Sequence, residues 1–394
     1  MGEVQTQNKN LALASVEEAK ARIEGVRQTL YRIIIGREET VDAVILALIA
    51  KEHVAIIGPP GTAKSYLAQS LSRLIQAQFY AYLMTKFTTY DELFGPIDVV
   101  AFVQNSELRR MWSAIVSSDI VFLDEIFKAS SAILNALLSL MQERVVYDPI
   151  SGHTIKAKLW TLIAASNEAP IDEELQALYD RFAVRVFTQY LNDDVKLLSA
   201  LMARWQSNGA TVQPLADMED VKTLHEYATA LLSREKDVVK LYHVNVVPLI
   251  KTLRTKGIII SDRSIIEKLP KLYAAYLTLH GVTPDNIVNA AYDIVLYAAR
   301  TPQELNDIKK AVDESLGEVA ELSRRLEQGK QMLRVGNLHA ALEAFREVAA
   351  YDVSRITSRP WLKPRVEALI RTAQDYIKRT QEIIQQIRAL QESA

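Results

Sequence analysis

Residues 58–65, GPPGTAKS, combine the residue types that bind a phosphate group. They follow an apolar run, 53–57, and precede a segment in which apolar residues recur every three to four positions. A strand that leads through a glycine-rich turn into a helix directs backbone N–H groups at an anion. Lys64 adds a mobile positive charge, and the Ser65 hydroxyl can bind Mg²⁺. Ala63 stands where the usual pattern has glycine, but it is small enough for a phosphate to approach the backbone. A structural Gly-Pro turn would not require Lys and then Ser at the hinge, so the pattern favours nucleotide binding.

A second apolar run, 120–123, ends in two carboxylates, Asp124 and Glu125. Asp124 at the end of a strand can hold the Mg²⁺ that bridges the outer phosphates, and Glu125 can orient or activate a water molecule. Two acidic residues can also simply cap the next helix. That alternative is weak here, because this run lies about 60 residues beyond a phosphate loop.

Three further polar residues matter only in combination with these. Asn167 follows the apolar run 159–165 and could hydrogen-bond the attacking water, although a loop asparagine is usually a turn residue. Arg181 ends a predicted helix and Arg263 begins another. An arginine in such a position is more often a solvated surface charge than a catalytic one.

Short apolar runs and helical stretches alternate over the first half of the chain, which predicts a parallel sheet covered by helices on both faces. The predicted strands are 53–57, 79–83, 119–123, 159–165 and 182–187. The predicted helices are 16–32, 64–77, 108–117, 130–143 and 173–179, with a further amphipathic helix before residue 51. The fold class is therefore α/β.

Beyond about residue 190 the sequence predicts helices only. We expect an α/β nucleotide-binding domain over 1–192, an all-helical lid domain over 193–301 and a helical tail over 302–394. In the tail, small and apolar residues are spaced as in one tetratricopeptide-type helical hairpin, for which an ordinary hairpin is an equal alternative; they are Gly329, Met332, Gly336, Ala341, Phe345 and Val348. A final helix over 360–391 carries an apolar stripe.

Composition excludes several kinds of site. The 394 residues include no cysteine, which rules out disulfides, thiolate metal sites and cysteine nucleophiles. The six histidines are scattered without the spacing of a zinc pair. The formal net charge of −2 gives no support to a bulk polyanion-binding surface. No apolar stretch is long enough to span a membrane and no signal-peptide pattern begins the chain, so we expect a soluble, cytoplasmic protein.

The order and spacing of these motifs resemble an AAA+ ATPase, and more narrowly the MoxR branch and its RavA-like subgroup. In that branch alanine before the lysine of the phosphate loop (Walker A) is normal. Its Walker B strand and the helix that follows are similar to residues 120–144, IVFLDEIFKASSAILNALLSLMQER. Its sensor 1 is similar to residues 162–170, LIAASNEAP. Its arginine-finger segment is similar to residues 177–182, ALYDRF, and its sensor 2 to residues 260–264, ISDRS. Residues 88–96 resemble the start of its helix-2 insert, and residues 145–158 resemble its pre-sensor hairpin. The resemblance covers roughly residues 15–300. RavA-like proteins also carry a β-rich inserted domain, where this chain has a helical tail.

The resemblance implies a role for each matching residue. Glu125 is the catalytic carboxylate, Asn167 the water-positioning sensor, Arg181 a finger that reaches the neighbouring subunit's γ-phosphate and Arg263 a phosphate contact from the lid. Ser65 and Asp124 would bind Mg²⁺. The residues expected to bind ATP are Ile35, Gly36, Gly58, Pro59, Pro60, Gly61, Thr62, Ala63, Lys64, Ser65 and Tyr66.

The leading hypothesis is an ATP-hydrolysing homo-hexameric ring that remodels or activates a partner protein, for which the tail is the candidate binding segment. One alternative is a nucleic-acid motor, in which Lys156 and Lys158 of the hairpin would touch a phosphate backbone. The hairpin tip, 148–153, carries no Lys or Arg, so a nucleic-acid partner is not expected. A membrane partner is not expected either, because no apolar stretch is long enough to span a membrane. The other alternative is a nucleotide-sensing scaffold, which the complete Asp-Glu, Asn and Arg set disfavours.

Overall fold

The computed structural model describes residues 2–206, 213–234, 236–334, 336–356 and 363–392. The chain forms two compact units. The first comprises Met1–Lys236, Ser261–Leu279 and Tyr297–Pro302, and the second comprises Asp237–Ile260, His280–Leu296 and Gln303–Ala394.

The strands of the first unit are β1 (Val54–Ile57), β2 (Phe79–Leu83), β3 (Ile120–Asp124), β4 (Val145–Tyr147), β5 (Thr154–Lys156), β6 (Thr161–Ser166) and β7 (Val184–Phe187). Five of them form a parallel sheet with the order β2-β3-β6-β1-β7. A separate antiparallel hairpin, β4-β5, coincides with the segment predicted to be a hairpin. Every residue of β1 and β6 is buried, as expected for central strands covered on both faces.

Helices make up most of the rest of this unit. They are α1 (Gly2–Ile33), α2 (Glu38–Ala50), α3 (Lys64–Leu74), α4 (Tyr90–Phe94), α5 (Val99–Asn105), α6 (Ser131–Glu143), α7 (Glu173–Tyr179), α8 (Asp194–Gln206), α9 (Met218–Arg234) and α12 (Leu269–His280). A short π-helix, Ser264–Lys268, leads directly into α12. The α/β fold class is confirmed, and the predicted strands are correct to within one or two residues.

The predicted helix 108–117 is wrong. In its place lie an extended segment, with an isolated bridge between Ile97 and Arg110, and a single 3-10 turn, Ala114–Val116. The Arg110 guanidinium is fully buried and donates to Asp148 at 3.0 Å, besides an ion pair with Asp91. These contacts with residues distant in sequence outweigh local helical propensity, which is a weak preference that tertiary contacts override.

The described residues of the second unit form helices and the loops that connect them. Its helices are α10 (Lys236–Asn245), α11 (Val247–Thr255), α13 (Pro284–Leu296), α14 (Pro302–Arg334), α15 (Leu338–Ala349) and α16 (Lys363–Glu392). The final helix therefore exists as predicted, although its expected first residues, 360–362, lie outside the described residues. The domain boundaries at 192 and 301 stay a prediction.

The predicted helical hairpin in the tail is confirmed as α14 and α15. Asn337 caps α15 by accepting the Ala340 N–H at 3.3 Å. A Cβ atom on Gly329 would lie 2.5 Å from the ring of Phe345, which is fully buried, so the glycine permits this close approach. Met332 is 40% exposed and does not join that packing. The tetratricopeptide assignment stays a prediction.

Among the residues that the structure describes, no helix is both long and apolar enough to cross a membrane.

His53 ties β1 to both neighbouring strands. Its Nδ1 accepts the Leu162 N–H of β6 at 2.9 Å, and its carbonyl accepts the Val184 N–H of β7 at 3.3 Å. Since Nδ1 accepts, the ring proton sits on Nε2, which donates to the Met141 carbonyl at 3.0 Å. Burial, reinforced by the charge of Arg144, lowers the pKa of His53 well below its ordinary value. The folded protein therefore holds this ring neutral.

We predict that His53 makes stability fall in mild acid. Its pKa in the unfolded chain is about 6.5 and its folded pKa is lower, so its contribution is complete above pH 6.5 and declines as the pH falls below that value. Between pH 6.5 and 5, wild-type protein should lose stability with a slope approaching about 1.4 kcal/mol per pH unit from this group. His53→Asn, which keeps an acceptor for Leu162, should show a flatter slope in chemical denaturation. The exposed His153→Asn is the control and should keep the wild-type slope; equal slopes for all three proteins would contradict the prediction.

Candidate nucleotide-binding site

The loop between β1 and α3 has a backbone path that depends on two glycines. Gly58 donates its N–H to the Ser166 carbonyl at 3.0 Å, and a Cβ atom there would lie 2.3 Å from the Thr188 carbonyl oxygen. Gly61 has a φ of 78°, in the left-handed region that favours glycine, with open space where a side chain would be. The loop is therefore fixed against β6 and β7 at its base and accessible at its tip.

Side chains hold the loop from inside. The Thr62 hydroxyl lies 3.0 Å from the Pro59 carbonyl and 3.0 Å from the Thr188 hydroxyl. Lys64 is buried, and its Nζ donates to the carbonyls of Gly58 at 2.6 Å and Pro59 at 2.9 Å. Burial lowers the pKa of Lys64. The ammonium group is thus held at the loop.

Ala63 precedes α3 in the left-handed conformation, with φ 66° and ψ 22°. A non-glycine residue pays about 1–2 kcal/mol for this conformation. The structure therefore explains why glycine is the usual residue at this position and shows that alanine can occupy it.

The carboxyl ends of β3 and β6 place three predicted site residues beside the loop. Asp124 ends β3 and accepts the backbone N–H of Glu125 at 3.0 Å. Asn167 directly follows β6, and its Nδ2 donates to Glu125 Oε1 at 2.6 Å. Lys128 Nζ lies 3.4 Å from the same carboxylate oxygen.

Glu125 itself has a strained backbone, with φ 52° and ψ 40°. Non-glycine residues in this region cost about 1–3 kcal/mol and concentrate at functional sites. The Asn167 amide and the Lys128 ammonium fix the carboxylate that this backbone presents.

These residues line one cavity of about 490 Å³, within the size range of small-molecule sites. It is lined by Pro60, Gly61, Thr62, Ala63, Lys64, Ser65, Tyr66, Asp124, Glu125, Asn167 and Arg204. Hydroxyl and carboxylate oxygens from Ser65 and Asp124 are the hard ligands that Mg²⁺ prefers. The donor set thus fits a magnesium nucleotide.

Arg204, an exposed residue in the last turn of α8, was not among the predicted site residues. Cations are common in the last turn of helices because they complement the helix dipole. The sequence therefore gave no reason to single this arginine out.

Ile35 and Gly36, predicted from the resemblance to line the adenine pocket, do not line this cavity. Gly36 has a φ of 74° and donates its N–H to Glu38 Oε1 at 3.0 Å. The next residue, Arg37, contacts the loop by donating to the Thr62 carbonyl at 3.4 Å. The segment is thus tied to the loop, beside the cavity.

Arg181 and Arg263 lie apart from these residues and together line a second cavity of about 110 Å³. The Gln142 amide is assigned with its oxygen toward Arg181. In this orientation the oxygen accepts a hydrogen bond from Arg181 Nη2 at 2.8 Å. Arg263 Nε donates to Glu267 at 2.9 Å. Burial lowers the pKa of Arg181, and the charge of Arg263 lowers it further. The predicted site residues therefore form two groups: one around Lys64 and one around the two arginines.

The amino-acid sequence is similar to a known protein family and to individual proteins of other organisms. Residues 21–226 match a sequence profile described as the MoxR domain in the MoxR-vWA-beta-propeller ternary systems. The chain is similar to an uncharacterized protein of Methanocaldococcus jannaschii, with 34% identity over 66% of this chain and 66% of that protein. It is also similar to the chaperone MoxR1 of Mycobacterium tuberculosis, with 28% identity over 40% of this chain and 42% of that protein. The matched segments thus span less than two thirds of the length of both relatives.

A crystal structure from Cytophaga hutchinsonii, of a protein described as a proposed ATPase, has a similar fold. The TM-score is 0.57 at 21% identity, over 77% of this chain and 98% of that one.

We predict that Ala63→Gly stabilises the protein. Relief of the left-handed strain, about 1–2 kcal/mol, exceeds the additional chain entropy that glycine loses on folding, about 0.5–1 kcal/mol. Chemical denaturation without nucleotide should show a gain of about 0.5–1 kcal/mol. Ala21→Gly, at an exposed position inside α1, is the matched control and should lose about the same amount. A loss of stability in both variants would show that Ala63 is not strained.

Proposed function

The chain belongs to the MoxR family of AAA+ ATPases, and from this premise we propose that it hydrolyses ATP with Mg²⁺ and couples hydrolysis to the remodelling of a partner protein. The observation that carries the proposal is the grouping of Lys64, Asp124, Glu125 and Asn167 around one cavity. That set contains a phosphate-binding cation, a metal-binding carboxylate, a candidate base and an amide that holds the base.

Binding depends on the loop. We propose that its backbone N–H groups and Lys64 bind the phosphates, and that Ser65 and Asp124 hold Mg²⁺. When bound, the metal supplies charge neutralisation at the outer phosphates. The hydrogen bonds of Lys64 to two loop carbonyls support this assignment, because they keep the ammonium group at the loop.

Glu125 is proposed to orient the attacking water and accept its proton. A base works efficiently when its carboxylate is held in one position before the reaction. The 2.6 Å hydrogen bond from Asn167 and the nearby Lys128 supply that restraint. Asn167 has a second N–H, which can hydrogen-bond the water itself.

Arg181 and Arg263 are proposed to act on the nucleotide of a neighbouring subunit. They line a different cavity from Lys64, and hydrolysis needs cations that stabilise charge on the γ-phosphate. A ring of identical subunits would bring the arginines of one chain to the phosphate loop of the next. The hexameric stoichiometry, the RavA-like subgroup and the cytoplasmic location belong to the same proposal.

A chaperone-like role is proposed because MoxR1 of Mycobacterium tuberculosis is described as a chaperone. The hairpin of α14 and α15 is the proposed partner-binding element. The nucleic-acid motor is less well supported, since Lys158 of the hairpin segment forms an ion pair with Asp119 at 3.1 Å.

We predict that Glu125→Gln binds ATP with wild-type affinity and hydrolyses it about 10²–10⁴ times more slowly. The glutamine keeps the oxygen that accepts from Asn167, so the geometry persists while the base is lost. Binding is measured by titration calorimetry and turnover by phosphate release. Glu168→Gln, the same change at a neighbouring exposed residue, is the control and should hydrolyse normally. Normal turnover by Glu125→Gln would show that another group is the base.

We predict that Arg181→Ala and Lys64→Ala subunits are each inactive alone and recover ATPase activity when mixed. An arginine finger contributes about 10³–10⁵ in rate, so its loss is readily measured. In a mixed ring, the intact phosphate loop of an Arg181→Ala subunit can meet the intact arginine of its neighbour. Arg73→Ala, at an exposed position on α3, is the control and should be fully active. Rings shown by native mass measurement to be mixed, yet inactive, would disprove action between subunits.

A further inference from the structure

Asp180, the residue before Arg181, is held by cations on several sides. Its carboxylate accepts from Arg185 at 3.4 Å and lies 3.2 Å from the Arg300 guanidinium. Arg185 is buried on β7 and also donates to the Tyr179 carbonyl at 3.2 Å. Tyr179 is itself fully buried, and its hydroxyl donates to the Arg300 carbonyl at 3.0 Å. The backbone from which Arg181 projects is therefore restrained through the residues before it.

The carbonyl of Asp180 has a further partner, the ammonium group of Lys268. Lys268 is the last residue of the π-helix, which begins immediately after Arg263. A π-helix is rare and frequently marks a functional site. The π-helix thus follows directly on Arg263 and ends at Lys268. Lys268 in turn bonds Asp180, the residue before Arg181.

The charge of Lys268 is unfavourable for folding. The residue is only 6% exposed, and burial lowers its pKa to about 8. Two nearby carboxylates attract it but already have other partners, since Glu52 pairs with Lys271 at 2.7 Å and Asp180 with the two arginines. Arg185 and Arg263 repel it. Among the residues that the structure describes, Lys268 has no carboxylate of its own, and a buried cation in that state costs stability, so its presence calls for another explanation.

We propose that Lys268 is a positioning residue for hydrolysis in the neighbouring subunit. By donating to the Asp180 carbonyl it fixes the backbone of Arg181 and holds Arg181 and Arg263 as one unit, so that two guanidinium groups meet the same phosphate. This inference rests on the proposed action of Arg181 between subunits.

The test is complementation between full-length subunits. Lys268→Met removes the donor and the charge but keeps the length of the side chain, and it should lower kcat about 10- to 100-fold, the loss expected from a misplaced catalytic group. The affinity for ATP should not change, because Lys268 does not line the cavity around Lys64. Mixing with Lys64→Ala should restore turnover, whereas mixing with Arg181→Ala should not, because both of those subunits then lack a working finger. Lys268→Gln, which keeps a neutral donor, should lose less activity than Lys268→Met.

The matched control is Lys271→Met. Lys271 lines the same cavity on the next helical turn, but it pairs with Glu52 instead of Asp180. The same loss of charge there should leave kcat much closer to wild type.

Wild-type turnover by folded Lys268→Met would overturn the inference. So would recovery on mixing with Arg181→Ala, which would show that Lys268 serves its own subunit's nucleotide. Failure of both Lys268 variants to fold would overturn it in favour of a structural role. If Arg181→Ala and Lys64→Ala fail to complement each other, the proposed function itself is wrong; if they complement each other while Lys268→Met equals wild type, only this inference is wrong.

Discussion

The parallel pairing of β6 with β3 on one side and β1 on the other is the constraint on which the site depends. Strands that run in one direction end at the same edge of the sheet, so the residues that follow them become neighbours whatever their separation in sequence. Here that edge brings the Lys64 loop, Asp124 and Asn167 together. Burial of β1 and β6 on both faces makes the register hard to change, because a shift by one residue would move every side chain to the opposite face.

The cavity around Arg181 and Arg263 has an excess of positive charge. In a chain whose net charge is only −2, one small cavity collects six cations beside two carboxylates. The cations are Lys51, Arg144, Arg181, Arg263, Lys268 and Lys271, and the carboxylates are Glu52 and Glu267. Backbone carbonyls compensate part of this charge, as Asp180 does for Lys268 and Trp160 does for Arg144. An arriving phosphate would relieve the repulsion between Arg181 and Arg263, which agrees with the proposal that these two arginines face a neighbour's nucleotide.

Local pattern was sufficient for some features and insufficient for others. The strands and the Lys64 loop were predictable because continuous apolar runs and a glycine-rich turn are local signals. The absence of a helix at 108–117 could not be predicted from local pattern, because Arg110 is paired with Asp148, far along the chain. Lys268 gave no signal, since its role depends on the Asp180 carbonyl and no residue type reveals where a backbone carbonyl points. The same holds for Arg204, which only the tertiary fold brings to the cavity.

The position of β1 also has a consequence for how the protein folds. This strand is made before both strands that flank it, which follow more than a hundred residues later. Sheets built from such distant pairs form slowly, since long loops must close before any pairing compensates for the lost entropy. During synthesis the wholly apolar VAII segment therefore waits without its partners. Apolar strands that are exposed before their partners exist are prone to aggregate, so the order of the strands along this chain favours aggregation during synthesis.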